Sequence, residues 1–259
     1  MSEKCHSILP RRNGRLLAHV ASVSVDLDDR HVIPEHYHPE DQLIFASRGV
    51  MTVRTRQGIW VVPPLRAVWI PAGIPHSVEM SGPVSMRTLY FHPTLGRDLR
   101  QRCFVMNVSS LLKELILHAC ALSKLSRSIP LQRSLIEVIT AQLKGANAMP
   151  LQLPRPEDTR AARIVRRLLA DPSENQTLNQ LSKSCGASKR TIQRIFLTET
   201  KMSFARWRQQ LRLLHALQLL ASGEKVSAAA LEAGYNSPSA FISMFRKQLG
   251  TTPMAYFRS

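Results

Sequence analysis

In the stretch HYHPEDQLIFASRG, residues 36–49, His36 and His38 stand one residue apart, Gln42 follows four later, and His76 closes PAGIPH downstream. Alternate residues of a strand share a face, so His36 and His38 point the same way and a histidine of a neighbouring strand can join them. Three imidazoles suit zinc, iron, nickel or copper. Gln42 adds a neutral carbonyl oxygen where a carboxylate would bind a divalent ion more strongly and cancel more of its charge. The same side chains equally make a metal-free polar pocket for an organic molecule. Trp69, with Trp60 and Tyr37, supplies aromatic walls for such a molecule or simply fills core. The expected ligand pocket is His36, His38, Gln42, Trp69 and His76, with His36, His38 and His76 as the metal set and no other cofactor.

A second constellation lies in TLNQLSKSCGASKRTIQRIFLTET. Leu178 and Leu181 give one helix a buried side, Gly186 permits a left-handed turn, and Ser188 can cap a second helix. On that helix Ile192, Ile195 and Phe196 share one face, while Arg190, Gln193 and Arg194, with Lys189 beside them, share another. Arginine reads guanine and glutamine reads adenine bidentately in the major groove. The pattern returns in VSAAALEAGYNSPSAFISMFRKQLG, with Gly234 in the turn, Ser237 as cap, Phe241 and Phe245 inward, and Ser239, Ser243 and Arg246 outward. SFARWRQQLRLLHALQLLASG between them reads as one helix of about 18 residues, ~27 Å long, which suits two helices entering successive major grooves.

The elements that must carry these groups divide the chain. Residues 16–95 alternate or run apolar with β-branched residues and are broken by prolines, the signature of short strands in a sandwich or barrel. Residues 108–146 read as two apolar helices, the first opening at Ser109 or Ser110 with Leu111, Leu112, Leu115, Ile116, Ala119 and Leu122 at helical spacing, the second running from Pro130 to Gly145. This hairpin either covers the barrel or joins two subunits. AMPLQLPRPED, residues 148–158, reads as a semi-rigid linker.

The 259 residues suit two domains, and a net charge of +17 points to a polyphosphate partner. Residues 155–259 hold 17 Lys and Arg against 7 Asp and Glu, a balance of +10, and the rest holds 18 against 11, or +7. Cys5, Cys103, Cys120 and Cys185 form no Cys-x-x-Cys pair and read as reduced thiols. With neither a signal peptide nor an apolar run long enough to span a membrane, the expectation is a cytoplasmic protein without a membrane partner.

SKRTIQRIF, RLLHALQLL and AGYNSPSAFISMFRKQLGTTPMAYFR, in that order and spacing, resemble the DNA-binding domain of the AraC/XylS family of bacterial transcription regulators. The resemblance implies two helix-turn-helix units, near 179–200 and 226–249. It places base-reading positions on Arg190, Gln193 and Arg194 in the first and on Ser239 and Ser243 in the second, where Ser237, Arg246 and Lys247 suit phosphate. His36, His38, Gln42, Gly49 and PAGIPH resemble a cupin, a small β-barrel whose enzymes usually supply two histidines and a glutamate from one motif and a histidine from the next. The implied fold is two-domain α+β: a cupin-like sensor barrel over 1–105, a helical hairpin for dimerisation over 106–147, a linker over 148–157, and an all-α DNA-binding domain over 158–259. The implied protein is a homodimeric, non-enzymatic regulator of transcription whose partners are double-stranded DNA, a small-molecule effector and RNA polymerase. The alternative is a cupin metal enzyme with a basic helical appendage.

Overall fold

The computed structural model describes residues 11–12, 15–16, 18–96, 101–149 and 151–258; Cys5 and the linker's Pro150 lie outside them. The chain separates into two parts. One holds the described residues to Arg56 and Trp60–Gln152; the other holds Gln57–Ile59 and the described residues from Leu153 onward.

The N-terminal part is a sheet covered by a helical hairpin. A two-residue ladder, β1 (Arg11–Arg12) with β2 (Arg15–Leu16), precedes β3 (Val20–Leu27), β4 (Val32–His36), β5 (Asp41–Arg54), β6 (Gly58–Val62), β7 (Arg66–Ile70), β8 (His76–Phe91), β9 (Phe104–Asn107), β10 (Lys124–Leu125) and β11 (Ala148–Met149). The sheet runs β10-β3-β8-β5-β7-β9-β11, with β4 on β8 and β6 on β5. β5 and β8 pair antiparallel from Asp41↔Phe91 to Arg54↔Ser77, with register shifts on either side of Arg48. Gly49 allows the shift. Its φ is +78°, and a Cβ there would collide with the Pro83 carbonyl oxygen.

Pleating divides the sheet residues between two faces. Leu43, Phe45, Ala67, Trp69, Leu89 and Phe91 form one core with Leu112, Ile116, Ala119, Ile136, Ile139 and Leu143 of the hairpin. The hairpin is α1 (Ser110–Leu122), whose first turn is capped by the Ser109 hydroxyl accepting from Leu112 N, and α2 (Pro130–Gly145), with proline at its start. It therefore covers the sheet. Leu115, on the apolar stripe of the first helix, is partly buried against this core, whereas Leu111, Ile129, Leu131 and Val138 are exposed. The stretch expected as a linker begins as structure. Ala148–Met149 pairs with Met106 and Val105 of β9, Leu151 is fully buried, and its carbonyl accepts from Val61 N–H at 3.1 Å. The prolines around these residues hide two short ladder contacts from any periodicity.

The C-terminal part is helical: α3 (Thr159–Ala170), α4 (Leu178–Ser184), α5 (Lys189–Ile195) continued by a π-helical turn (Phe196–Thr200), α6 (Phe204–Ala221), α7 (Val226–Glu232), α8 (Pro238–Leu249) and α9 (Pro253–Arg258). The sequence sets its boundaries. Thr177 and Gln180 form a capping box on α4, and Ser188, Ser203 and Ser237 cap α5, α6 and α8. Gly186, at φ +68°, makes the α4–α5 turn. Ile192, Phe196, Trp207, Phe241 and Phe245 are fully buried, with Phe196 stacked edge-on against Phe204 and Trp207 at 5.1 and 5.5 Å. Among the described residues, no helix is long and apolar enough to cross a membrane.

Candidate functional site

β4, β5 and β8 bring the expected histidines together. His36 pairs directly with His76 across β4 and β8, and their ring centroids lie 4.4 Å apart. His38 follows in the turn to β5, 5.2 Å from His76 and 6.1 Å from His36 by ring centroid. One ligating atom from each of the three histidines lies within 4.8 Å of the other two, and among the described residues no carboxylate or thiolate joins the group. His38, His76 and Gln42 are buried and His36 is half-buried, so the cluster opens outward on the His36 side, beside exposed Tyr37.

Backbone carbonyls fix the tautomers. Nδ1 of His36, His38 and His76 lies 2.8, 2.7 and 2.8 Å from the carbonyl oxygens of Pro34, Glu40 and Ile74. A carbonyl only accepts, so each Nδ1 carries the proton and Nε2 is the nitrogen that could ligate a metal.

Gln42 is fixed as firmly. The Thr88 hydroxyl donates to the Leu43 carbonyl at 3.0 Å, so toward Gln42 it can only accept. The Gln42 amide nitrogen donates to Thr88 Oγ1 at 3.1 Å and to the Tyr90 hydroxyl at 3.0 Å. That turns Gln42 Oε1 toward His38 Nε2, 2.9 Å away. An amide oxygen and an unprotonated imidazole nitrogen, both acceptors, thus face each other at contact distance. A cation between them removes the conflict. A second proton on His38 would satisfy these two atoms only; a metal ion uses them together with His36 and His76. Asp41, next in sequence, turns its carboxylate to Ala72 N–H at 2.8 Å, and burial holds its carboxyl above the ordinary range against that hydrogen bond.

Trp69 does not belong to this group. It pairs with Leu43, one residue out of phase with Gln42, and packs 5.4 Å from Phe91 in the core beneath the hairpin. Thr88 and Tyr90 were not among the expected residues. Tyr90 lies opposite Gln42 and Thr88 opposite Ile44 across β5 and β8, so the alternation of TLY in β8 would have found them once that register was known.

In the C-terminal part Lys189, Arg190, Gln193 and Arg194 are all exposed on α5. Lys189 and Gln193 turn toward α6 and line a groove of about 720 Å³ with Leu197, Phe204, Arg208 and Arg212, whereas Arg190 and Arg194 do not line it. The Arg208 guanidinium lies over the Phe204 ring at 4.7 Å and donates to the Gln176 carbonyl at 2.7 Å. Arg212 donates to the Glu174 carbonyl at 3.1 Å and to Asn175 Oδ1 at 2.8 Å. Burial, then repulsion from Arg212, lowers the pKa of Arg208. These two arginines, missed in the sequence, brace the loop before α4. On α8, Ser239, Ser243, Arg246 and Lys247 line a second groove of about 570 Å³, and the Ser237 hydroxyl is held by Ala240 N–H at 3.2 Å.

Residues 181–259 match a helix-turn-helix domain family, and residues 23–188 match the AraC-like ligand binding domain family. The HTH-type transcriptional regulator NimR of Escherichia coli (strain K12) is 35% identical over 228 residues, 88% of this chain and 83% of NimR. The HTH-type transcriptional regulator RipA of Corynebacterium glutamicum is 35% identical over 104 residues, 40% of this chain and 31% of RipA. Among solved structures, the DNA-binding domain of AdpA in complex with a target DNA is 33% identical, with a TM-score of 0.36, and covers 38% of this chain and 90% of that one.

Proposed function

The chain belongs to the AraC family of transcription regulators, and from that premise we propose that the histidine cluster of its N-terminal part governs how its C-terminal part binds DNA. The N-terminal part is a ligand-binding domain and the C-terminal part carries a helix-turn-helix DNA-binding domain. The enzyme alternative gives way, because the relatives over both parts are regulators of transcription.

Within that frame the domains are a cupin-type sensor barrel at 1–105, the hairpin at 106–147, a connection at 148–157 and the DNA-binding domain at 158–259. The last contains two helix-turn-helix units, near 179–200 and 226–249. The glycine turns after α4 and α7 and the caps on α5 and α8 support that count. Arg190, Gln193 and Arg194 read bases, with Lys189 at their edge. Ser239 and Ser243 are too short to reach as far, so the second unit mainly holds phosphate through Ser237, Arg246 and Lys247. The exposed apolar residues of the hairpin support a homodimer. RNA polymerase as a partner and a cytoplasmic location follow from the same reading.

The convergence of His36, His38, Gln42 and His76 on one buried point carries the sensor half of the proposal. These residues form the ligand pocket, and His36, His38 and His76 hold a divalent transition metal, for which imidazole nitrogen is an apt donor. The proton assignments favour metal over an empty polar pocket. Sequencing the DNA recovered with the protein from extract of its own cells tests the function as a whole. A short repeated motif, lost with Arg194→Ala, is expected; unselected DNA from both proteins would contradict it.

A further inference from the structure

The groove between α5 and α6 carries positive charge without a matching acid. Lys189 lines one wall and Arg208 and Arg212 the other, and among the described residues no aspartate or glutamate lines it. The acceptors that hold the two arginines are all uncharged: the carbonyls of Pro172, Glu174 and Gln176 and the amide of Asn175. The acids of that loop are engaged elsewhere. Glu174 accepts from the Arg167 guanidinium at 2.6 Å, and Asp171 accepts from the Ser173 hydroxyl at 2.6 Å. Arg208 Nε is buried with no hydrogen-bond partner among the described residues. Burial lowers the pKa of both arginines, the mark of cations that their surroundings do not fully offset. Two guanidiniums held in place with no carboxylate between them form a ready site for an anion.

The position of the groove identifies the anion. Lys189 and Gln193 line it from successive turns of α5, whereas Arg190 and Arg194 do not. An α-helix with its side chains is about 10–12 Å across and fills a major groove about 12 Å wide, so a sugar-phosphate backbone runs along each flank of a helix that reads bases. With Arg190, Gln193 and Arg194 toward the bases, the flank of α5 that faces α6 meets one of those backbones. We propose that this groove is a binding site for a backbone phosphate of DNA, with Lys189 and Arg208 as its charged contacts and Arg212, one turn along α6, adding to the field. The inference rests on the base-reading assignment of α5 and goes beyond it. It makes α6, otherwise a spacer between the two units, a second DNA-contacting element of the first unit. Such a contact fixes register and orientation and carries no sequence information.

Removing the charge should therefore weaken every sequence alike. Arg208→Met keeps an apolar stem beside Phe204 and deletes the guanidinium. The slope of log affinity against log salt should become shallower by about 1, the value of one phosphate contact, with the order of preference among single-base variants of the site unchanged. Arg208→Lys, which keeps the charge, should keep the slope. A residue that only braces the loop before α4 would not divide the two variants in this way.

The experiment uses the full chain and the DNA site recovered with it, in anisotropy titrations from about 50 to 200 mM salt. Single phosphates beside the base pairs read by α5 are replaced in turn by uncharged methylphosphonate. The expected result is one phosphate whose neutralisation weakens the wild type and has no further effect on Arg208→Met. If no phosphate is coupled to Arg208, or the salt slope of Arg208→Met is that of the wild type, the phosphate site is overturned; salt- and sequence-dependent binding by the wild type then leaves the base-reading assignment standing. Wild-type binding that ignores both salt and sequence overturns that assignment and this site together. Exchanging chloride for inorganic phosphate at constant ionic strength should leave the affinity unaltered. A loss specific to phosphate that Arg208→Met abolishes would assign the groove to a free phosphate compound instead. If Arg208→Met does not fold, Lys189→Met, a change at an exposed residue of the opposite wall, makes the same coupling test.

Discussion

The side-chain oxygen of Gln42 lies 2.9 Å from Nε2 of His38, and the protons of both groups point elsewhere, to Glu40, Thr88 and Tyr90. Two strands set that contact, since Gln42 stands opposite Tyr90 in the β5–β8 ladder. Thr88 completes it by donating to the main chain of β5 and so accepting from the amide.

Removing that hydroxyl should loosen the proposed metal. Thr88→Val keeps the shape of a fully buried residue and deletes the group that orients Gln42. Metal affinity should fall about 10–100-fold, the usual effect of losing a partner that orients a ligand. Competition against a chromophoric chelator measures it. Unchanged affinity in a folded Thr88→Val protein would show that the orientation of Gln42 does not matter to the metal.

DNA readout should be unequal between the two helices. Arg194→Ala should cost about 1–3 kcal/mol at one base pair and relax preference there, while Ser243→Ala should change discrimination much less. A panel of single-base variants of the recovered site decides it. A larger effect from the serine would reverse the ranking.

Subunit association should depend on the outer face of the hairpin. Leu131 is 80% exposed, so Leu131→Glu should weaken dimers of the full chain while leaving its thermal stability within about 0.5 kcal/mol. Sedimentation at graded concentrations reads the outcome. Wild-type protein that stays monomeric with and without DNA would remove the homodimer.

Asp158 gives the C-terminal part an acid-sensitive helix cap. It accepts from Arg160 N at 2.9 Å and Ala161 N at 3.4 Å, and the Arg160 side chain, at 2.8 Å, is the main reason that its carboxyl is pulled down to about 2. A carboxyl lowered on folding stabilises the native state above its ordinary pKa near 4, and that contribution fades as pH falls toward 2. Asp158→Ala should therefore cost about 1 kcal/mol at neutral pH and progressively less in acid. A destabilisation independent of pH would mean that the cap acts without its charge.

Much of this was legible in the sequence, and the rest was hidden for definite reasons. The serine caps before α5 and α8 and the glycine of the first turn are local, needing only a few neighbouring residues, and they stand where the spacing put them. Strand parity grouped His36 with His38, although β4 ends at His36 and it is the turn to β5 that carries His38 to the cluster. Trp69 could not be sided in this way, because its face depends on pairing with Leu43 rather than Gln42, a one-residue choice that only the register makes. Leu115 went inward because the sheet takes a broad stripe of α1. Thr88 and Tyr90 were invisible because they lie 46 and 48 residues from Gln42 in sequence.

The most direct measurement of the central claim is the equilibrium affinity of the full chain for its recovered DNA site before chelation, after chelation and after zinc is restored. Control of DNA binding by the cluster predicts a reversible change of about 5–150-fold, the usual size of coupling between two sites, and predicts that a folded His76→Ala chain no longer responds. An affinity that stays the same through all three states, with the same value for His76→Ala, would contradict it.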